Sequence, residues 1–455
     1  MSLGSLLSIA RSALTVSQRA MEVTGQNIAN ANTPGYSRQI LEITAATPLQ
    51  MPTYSLGRGV EADQITRARS SFYDATYRED NGLLGNSNTL NSYLGQVEGA
   101  MNEPSTTGIS AALDNLFGSL SDLAGDPSNP TNRQQVVATG TRLVNQLHSL
   151  NTQLGTIRQD AVSDMTAQVS EVNSLAGQIA QLNNQVVASG GLNGSPDLMD
   201  ARDNLVDQLS QYVDVTVTQR PDGSYAVAAG DTMLVDGANA TQLAVGTVGA
   251  GWGVVPAGGG APITVGSGSL QALADLTQTK LPGVQTQLDQ FSQALVTQFN
   301  QIHEQGTTLN GATGVDFFDP AGTTAGSIQL SAAVLASPDN IAASATGAQG
   351  NGDIATQLAN LATTGVAALG GSTLRDFYTG IASGVGTDVS NAQQDVDAQQ
   401  TLVDNADAQR QSVSGVSTDE EMVALIGEQQ AYQAAAHLVT VANTMMDDLM
   451  TAMTS

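Results

Sequence analysis

The three histidines, His148, His303 and His437, are the side chains best suited to bind a metal or relay a proton near neutrality. A metal site needs a second ligand about one helical turn away, and none of the three has a histidine three or four positions on. Each stands alone in a stretch of helical periodicity, so exposed histidines on helix surfaces are expected. There is no cysteine, which removes disulfides, thiolate metal sites and cysteine nucleophiles together. Asp419-Glu420-Glu421 could serve calcium or acid–base chemistry. It opens a helical segment, however, where carboxylates favour the positive end of the dipole. Asp447-Asp448 reads as a solvated helix face. Ser412 and Ser414 beside Gly415 form no strand-to-helix nucleophile elbow. Gly347, Gly350 and Gly352 have neither a preceding strand nor a following lysine, so they cradle no phosphate. Tyr432, Met445, Met446 and Met450 fall on or beside an apolar seam and read as packing residues. No catalytic, cofactor-binding or metal-binding residue is therefore expected, and the chain does not read as an enzyme.

The elements that would hold such groups are spread over 455 residues, which is enough for two to four domains. Aromatic residues make up only 4% and charged residues 13%. Lys+Arg 15 against Asp+Glu 42 leaves a net charge of −27, so nucleic acid is not an expected partner. No run of eighteen apolar residues is present, so no membrane insertion is expected. The start, MSLGSLLSIAR, lacks a basic n-region, and Arg11 and Arg19 interrupt any apolar core, so it does not read as a Sec signal peptide. These features suit either a cytoplasmic protein or one exported without a cleaved signal.

The clearest periodicity runs over 133–189. Leu143, Leu147, Leu150, Leu154, Ile157 and Ala161 alternate by three and four, and Val172, Leu175, Ile179, Leu182 and Val186 resume the pattern. Such a helix would be about 85 Å long, a length that builds rods and bundles. Between 213 and 265 the period changes to two (Val213, Val215, Val217, then Tyr225 and Val227 after Pro221-Asp222-Gly223), giving a small β-rich domain. Helix resumes at 284–303 and 373–411. Residues 36–66 read as short extended segments and 69–101 as a weaker helix. Residues 311–371, rich in Gly, Ala and Thr, carry little periodicity.

Both ends carry seamed helices. In residues 3–30, Leu7, Leu14, Met21 and Ile28 repeat every seven, with Ala10, Ser17 and Thr24 at the other seam position. At the C-terminus Met422, Leu425, Gln429, Tyr432, Ala436, Val439, Asn443, Met446, Met450 and Met453 keep a three–four alternation, with Gln429 and Asn443 as buried polar residues fixing register. Thr418 with Glu421, or Ser417 with Glu420, offers a capping box. Isolated helices with seams this weak are marginal in water, so the two ends are expected to pair as a coiled coil. After the first helix comes the turn motif Asn32, Thr33, Pro34, Gly35 and Tyr36, with Pro34-Gly35 suited to the centre of a type II turn.

ANTPGYSRQ at 31–39, following a seamed helix, resembles the N-terminal signature of the flagellar axial proteins, which comprise rod, hook and hook-associated proteins. Ser37-Arg38-Gln39 after the tyrosine is similar to the hook-associated branch. SGVSTDEEMVALIGEQQAYQAAAHLVTVAN at 414–443, GISAALDNLFGSLSDLAGDPSNPTNRQQVV at 108–137, LMDARDNLVDQLSQYVDV at 198–215 and LPGVQTQLDQFSQALVTQFNQIHEQG at 281–306 resemble the same proteins. The likeness thus spans most of the chain outside about 240–265 and 311–371, with Gly427 a departure inside the last helix. It implies a mainly α fold with a β-rich insertion, in which a coiled coil formed by both termini adjoins a long-helix bundle and outer domains. The implied division is 1–40 with 415–455 as the terminal coil, 41–212 with 270–310 and 372–414 as the long-helix bundle, 213–269 as the β-rich outer domain, and 311–371 as a variable outer segment. The implied function is a structural subunit joining hook to filament, exported unfolded and ordered on assembly. The implied partners are the hook protein, hook-associated protein 3, further copies of the chain in a ring, an export chaperone at the C-terminal helix, and the flagellar type III export apparatus. The implied location is the extracellular flagellum at the hook–filament junction. Leu7, Leu14, Met21, Ile28, Leu425, Tyr432, Val439 and Met446 are the expected subunit contacts. The alternatives are another axial protein (hook or distal rod), or a secreted adhesin or enzyme carried on axial-type termini.

Overall fold

The computed structural model describes residues 3–50 and 55–454. Residues 1, 2 and 455 of the expected terminal coil lie outside that range. Helix α1 spans Leu3–Asn30. Its end is closed by Thr33 N donating to Asn30 O at 2.9 Å and Tyr36 N donating to Thr33 O at 3.2 Å. Gly35, third of the four turn residues, sits at φ +78°, the left-handed conformation that a type II turn requires there.

The chain then runs out and back as a hairpin. Strand β1 (Gln39–Ala45) pairs antiparallel with β4 (Val60–Arg67) across a bulge between Leu41 and Ile43, and β2 (Leu49–Gln50) pairs with β3 (Ser55–Leu56) near its tip. The hairpin lies against α1, where Ser12 Oγ accepts from Val60 N.

Five long helices make the body: α2 (Ser71–Met101), α3 (Ile109–Gly125), α4 (Pro130–Ala188), α7 (Leu281–His303) and α10 (Leu374–Ser414). Shorter α5 (Pro196–Ser210) and α6 (Ser269–Asp275) brace them, and a π-helical turn at Leu276–Lys280 runs α6 into α7. Helix α4 is a single helix of 59 residues. Pro130 begins it, and Asn129 caps it by accepting from Thr131 N at 2.9 Å. Its seam Leu143, Leu147, Leu150, Leu154, Ile157 and Ala161 is buried throughout, and burial continues through Met165, Val169, Val172, Leu175 and Ile179. Helices α2 and α10 pack side by side and run antiparallel, with Tyr77 near Arg410 at one end and Asn91 bonded to Gln393 further along.

Strands β5 (Thr216–Gln219), β6 (Tyr225–Ala229), β7 (Thr232–Asp236) and β8 (Asn239–Ala240) form an antiparallel sheet in chain order. Strands β9 (Leu243–Val248) and β10 (Gly251–Pro256) form a separate hairpin. Two asparagines of α4 stitch both to the long helix. Asn183 bonds Tyr225 N, Tyr225 O and Gly237 O, and Asn173 bonds Leu243 N and O.

Residues 311–371 carry the short helices α8 (Ala332–Ala336) and α9 (Asp353–Asn360). They are organised by the end of α7. Asn300 accepts from Phe317 N and Phe318 N and donates to Phe318 O, and Phe299, Phe317 and Phe318 form one aromatic cluster with centroids 4.9–5.2 Å apart. His303 corrects the expectation of an exposed histidine, because it is fully buried. Its Nδ1 donates to Val315 O and its Nε2 accepts from Ala342 N, so the ring is neutral. Burial lowers its pKa from 6.5 to about 4, with the Val315 bond opposing the shift. The missing signal was tertiary: three and four residues before it, Asn300 and Phe299 were the only local hint.

The last helix, α11 (Thr418–Thr454), packs on α1.

Candidate assembly interface

Helices α1 and α11 touch at Asn27, whose Nδ2 donates to Glu421 Oε2 at 3.1 Å. Asn27 is near the end of α1 and Glu421 near the start of α11, so the two helices can share their lengths only by running antiparallel. On α11 burial follows the three–four step Glu421, Leu425, Glu428, Tyr432, Ala435, Val439, Ala442. On α1 the matching line is Ala10, Ala13, Ser17, Ala20, Thr24 and Asn27, almost all small. Small residues on one side let Leu425, Tyr432 and Val439 approach, as in a coiled coil with unequal faces.

Leu7, Leu14, Met21 and Ile28 lie beside this line and are half-buried, as are Leu425, Tyr432 and Val439. Met446 is more exposed, at 37%. Gln429 and Asn443, read from the sequence as buried register residues, are exposed. The buried polar position is Asn27 instead, and it lies in the N-terminal helix. Of the two cap candidates it is the earlier that forms a bond, Ser417 Oγ accepting from Glu420 N. That leaves Glu421 free to face Asn27.

Asn27 uses its whole hydrogen-bonding capacity. Its Nδ2 donates to Glu421 and to Gln39 O, and its Oδ1 accepts from Tyr36 Oη and Gln39 N, each of the last three at 2.9 Å. Burial raises the Tyr36 hydroxyl above its ordinary value, and Asp197, Asp200 and Glu421 raise it further. It therefore stays protonated and donating. The turn is thus tied to both terminal helices by one amide.

The residues after the tyrosine are tied to the body. Ser37 donates through its N (2.9 Å) and Oγ (2.7 Å) to Asp200, and Gln39 Nε2 donates to Asp197. Arg38 N donates to Ser414 O at the end of α10, and Arg38 O accepts from Ala68 N. The Arg38–Glu420 ion pair, at 3.7 Å on an exposed carboxylate, adds little.

Beneath them lies a buried ionic network that the sequence reading did not single out. Asp197, Asp200, Asp203 and Asp207 step by three and four along α5. Arg67 reaches Asp200 and Asp203 at 2.7 Å each. Arg69 bridges Asp74 (2.7 Å) and Asp203 (3.1 Å). Arg78 binds Asp207 (2.6 Å) and Asp203 (3.3 Å). Arg410 of α10 closes the cluster on Asp207 (2.6 Å), its guanidinium 4.0 Å over the Tyr77 ring. Burial alone would raise the Asp203 carboxyl, but Arg69, Arg67 and Arg78 overcome it and hold the carboxyl well below the usual range. The available signal was the acidic step in MDARDNLVD, with four of the chain's 15 basic residues converging on it from three other segments.

Among the described residues no group of three or more His, Cys, Asp or Glu side chains is placed to hold a metal ion, and no helix is long and apolar enough to cross a membrane. The arrangement is one of pinning and packing.

Residues 94–318 match the family model described as the flagellar hook-associated protein FlgK helical domain. Residues 7–36 match the flagella basal body rod protein, and 407–452 the flagellar basal body rod FlgEFG protein C-terminal family. Flagellar hook-associated protein 1 of Bacillus subtilis (strain 168) is 30% identical over 495 residues, covering 98% of each chain. The chain belongs to the flagellar hook-associated protein 1 family. It is a structural component of the bacterial flagellum, an extracellular appendage, and associates with the flagellar axial components. The relative of the same name in Salmonella typhimurium is 28% identical over 329 residues, or 70% of this chain and 59% of that one. The solved flagellar hook junction protein FlgK from Burkholderia pseudomallei shares the fold, with TM-score 0.66 and 17% identity over 75% of this chain and 100% of that one. The rod-type matches fall on α1 with its turn and on the end of α10 with α11, and the hook-associated match runs from the end of α2 through α3, α4, the β-rich region and α7.

Proposed function

We propose that this chain joins the hook to the filament, bears no catalytic activity, and covers the open side of its terminal helix pair only on assembly. The observation that carries the proposal is the two-sidedness of α11. One side seats on α1, while Met422, Val423, Ile426, Leu438 and Leu449 on its other sides are 42–71% exposed. An exposed apolar surface of that extent on one helix suits contact with neighbouring subunits. In this reading Leu425, Tyr432 and Val439 hold the pair together within the chain. Leu7, Leu14, Met21, Ile28 and Met446 meet neighbouring copies in a ring, the hook protein on one side and hook-associated protein 3 on the other. The chain leaves the cell unfolded through the flagellar type III apparatus, and an export chaperone covers α11 beforehand. A helix pair with so slight a seam suits this route, since it is readily unfolded and gains order from its neighbours.

The test is to image cells lacking the protein and to assay their medium. Intact hooks without filaments, with filament subunits shed into the medium, are expected. Filaments growing normally from those hooks would sink the junction role, and loss of the hook itself would return the hook or distal-rod alternative.

A further inference from the structure

The end of α11 concentrates sulfur in a chain that has no cysteine. Of 12 methionines, Met445, Met446, Met450 and Met453 lie in the last turns, 51%, 37%, 57% and 76% exposed, whereas Met101, Met165 and Met199 are buried in the body at 4%, 0% and 6%. Counted from the Asn27–Glu421 contact, the described part of α1 ends opposite about residue 445, at one residue per 1.5 Å on each helix. Along these last turns of α11 the thioethers stand open to solvent.

We propose that these four methionines are an oxidant-sensitive modification site that switches the assembly face off before incorporation. The proposal rests on the reading of that face as a subunit contact. The oxidant class is a peroxide. The thioether sulfur supplies an electron pair to one peroxide oxygen, the O–O bond breaks as the S–O bond forms, and the other oxygen leaves as water after proton transfer. Sulfur is oxidised to a sulfoxide and the peroxide is reduced. Met446, Met450 and Met453 step by four and three, so their sulfoxides share one face of the helix. Each sulfoxide turns an apolar contact into a polar one, and a polar group buried without a donor weakens an interface by roughly tenfold or more. Once neighbours cover the helix end, the same sulfurs are shielded, so sensitivity belongs to the unassembled chain.

The experiment treats the purified full chain with hydrogen peroxide, maps oxygen addition by peptide mass spectrometry, and adds the chain to hooks of cells that lack it. Met445, Met446, Met450 and Met453 are expected to oxidise well before Met101, Met165 and Met199, and incorporation is expected to fall by roughly tenfold or more. Because Met422 on the same helix is also 54% exposed, the variants are made in a Met422→Leu background; there the fourfold variant Met445→Leu, Met446→Leu, Met450→Leu, Met453→Leu keeps the face apolar and should incorporate with or without peroxide. The corresponding glutamine variant should fail without peroxide, while the circular dichroism of its body is unchanged. Peroxide blocking the leucine variant as strongly as the parent chain would overturn the proposal. So would normal incorporation of parent chain carrying confirmed sulfoxides at all four positions. Normal incorporation of the glutamine variant would instead overturn the underlying reading of α11 as an assembly contact.

Discussion

Along α4, Leu143, Leu147 and Leu154 are wholly closed from solvent, whereas along α11 only Glu421, Ala435 and Ala442 are buried. Both helices repeat by threes and fours, and both are long. A buried leucine contributes about 1.5–3 kcal/mol, and α4 collects many such contributions from α3, α7 and the β-rich region. An alanine seam collects far less, and the ordering of each backbone residue costs about 1–2 kcal/mol. The body is therefore held by its own core, while the terminal pair is held by one seam, the hairpin against α1, one amide knot and whatever covers its outer side. The same periodicity in sequence thus encodes two different degrees of self-sufficiency.

The largest effect that separates the two regions is deletion of residues 422–455. The body should remain folded by circular dichroism and melt cooperatively, while incorporation at hook tips is lost. A truncated chain that still assembled and supported filament growth would break the comparison. Next is Asp203→Ala, which leaves Arg67, Arg69 and Arg78 without their shared carboxylate. Breaking a buried ionic cluster from one side costs about 3–5 kcal/mol, to be read as a drop in the melting temperature of the body. An unchanged melting temperature would show that this network anchors nothing.

His303 supplies the pH test of the body. Its folded pKa is about 4 against an ordinary 6.5, so the unfolded chain takes up the proton first. The stability it contributes is fully present above pH 6.5 and is lost as pH falls towards 4, by about 3 kcal/mol in all. Denaturant midpoints measured across that window should decline, and His303→Gln should remove that part of the decline. The smallest of these effects is Asn27→Ala, about 1–3 kcal/mol from the partners left unsatisfied. Amide exchange should accelerate in α1 and α11 with no change in α4. Equal acceleration in α4 would mean that the terminal pair and the body are one cooperative unit.

Much of this organisation could be read from the chain itself. The seam of α4, the change to period two after Val213, the turn at Thr33–Tyr36 and the two seamed ends are local patterns, and local patterns follow from helix and strand geometry. Sequence also showed that the ends were weak. Residues 311–371 were unreadable because their order comes from Asn300, His303 and the phenylalanine cluster rather than from any repeat. Gln429 and Asn443 were placed in the seam because two interleaved apolar lines run along α11, and spacing does not say which of them α1 covers.

What the sequence alone determined was the rod-like helical body, the outward turn at Pro34-Gly35 and the thinness of the terminal seams, because each depends on residues a few positions apart. Only the tertiary structure decided that Asn27 carries the knot, that Ser37 and Gln39 fasten it to the acidic step of α5, and that four arginines from distant segments neutralise that step. Those contacts join residues up to 394 positions apart. No spacing rule reaches that far, and only the folded chain brings a donor and an acceptor to hydrogen-bonding distance, 3.1 Å for Asn27 and Glu421.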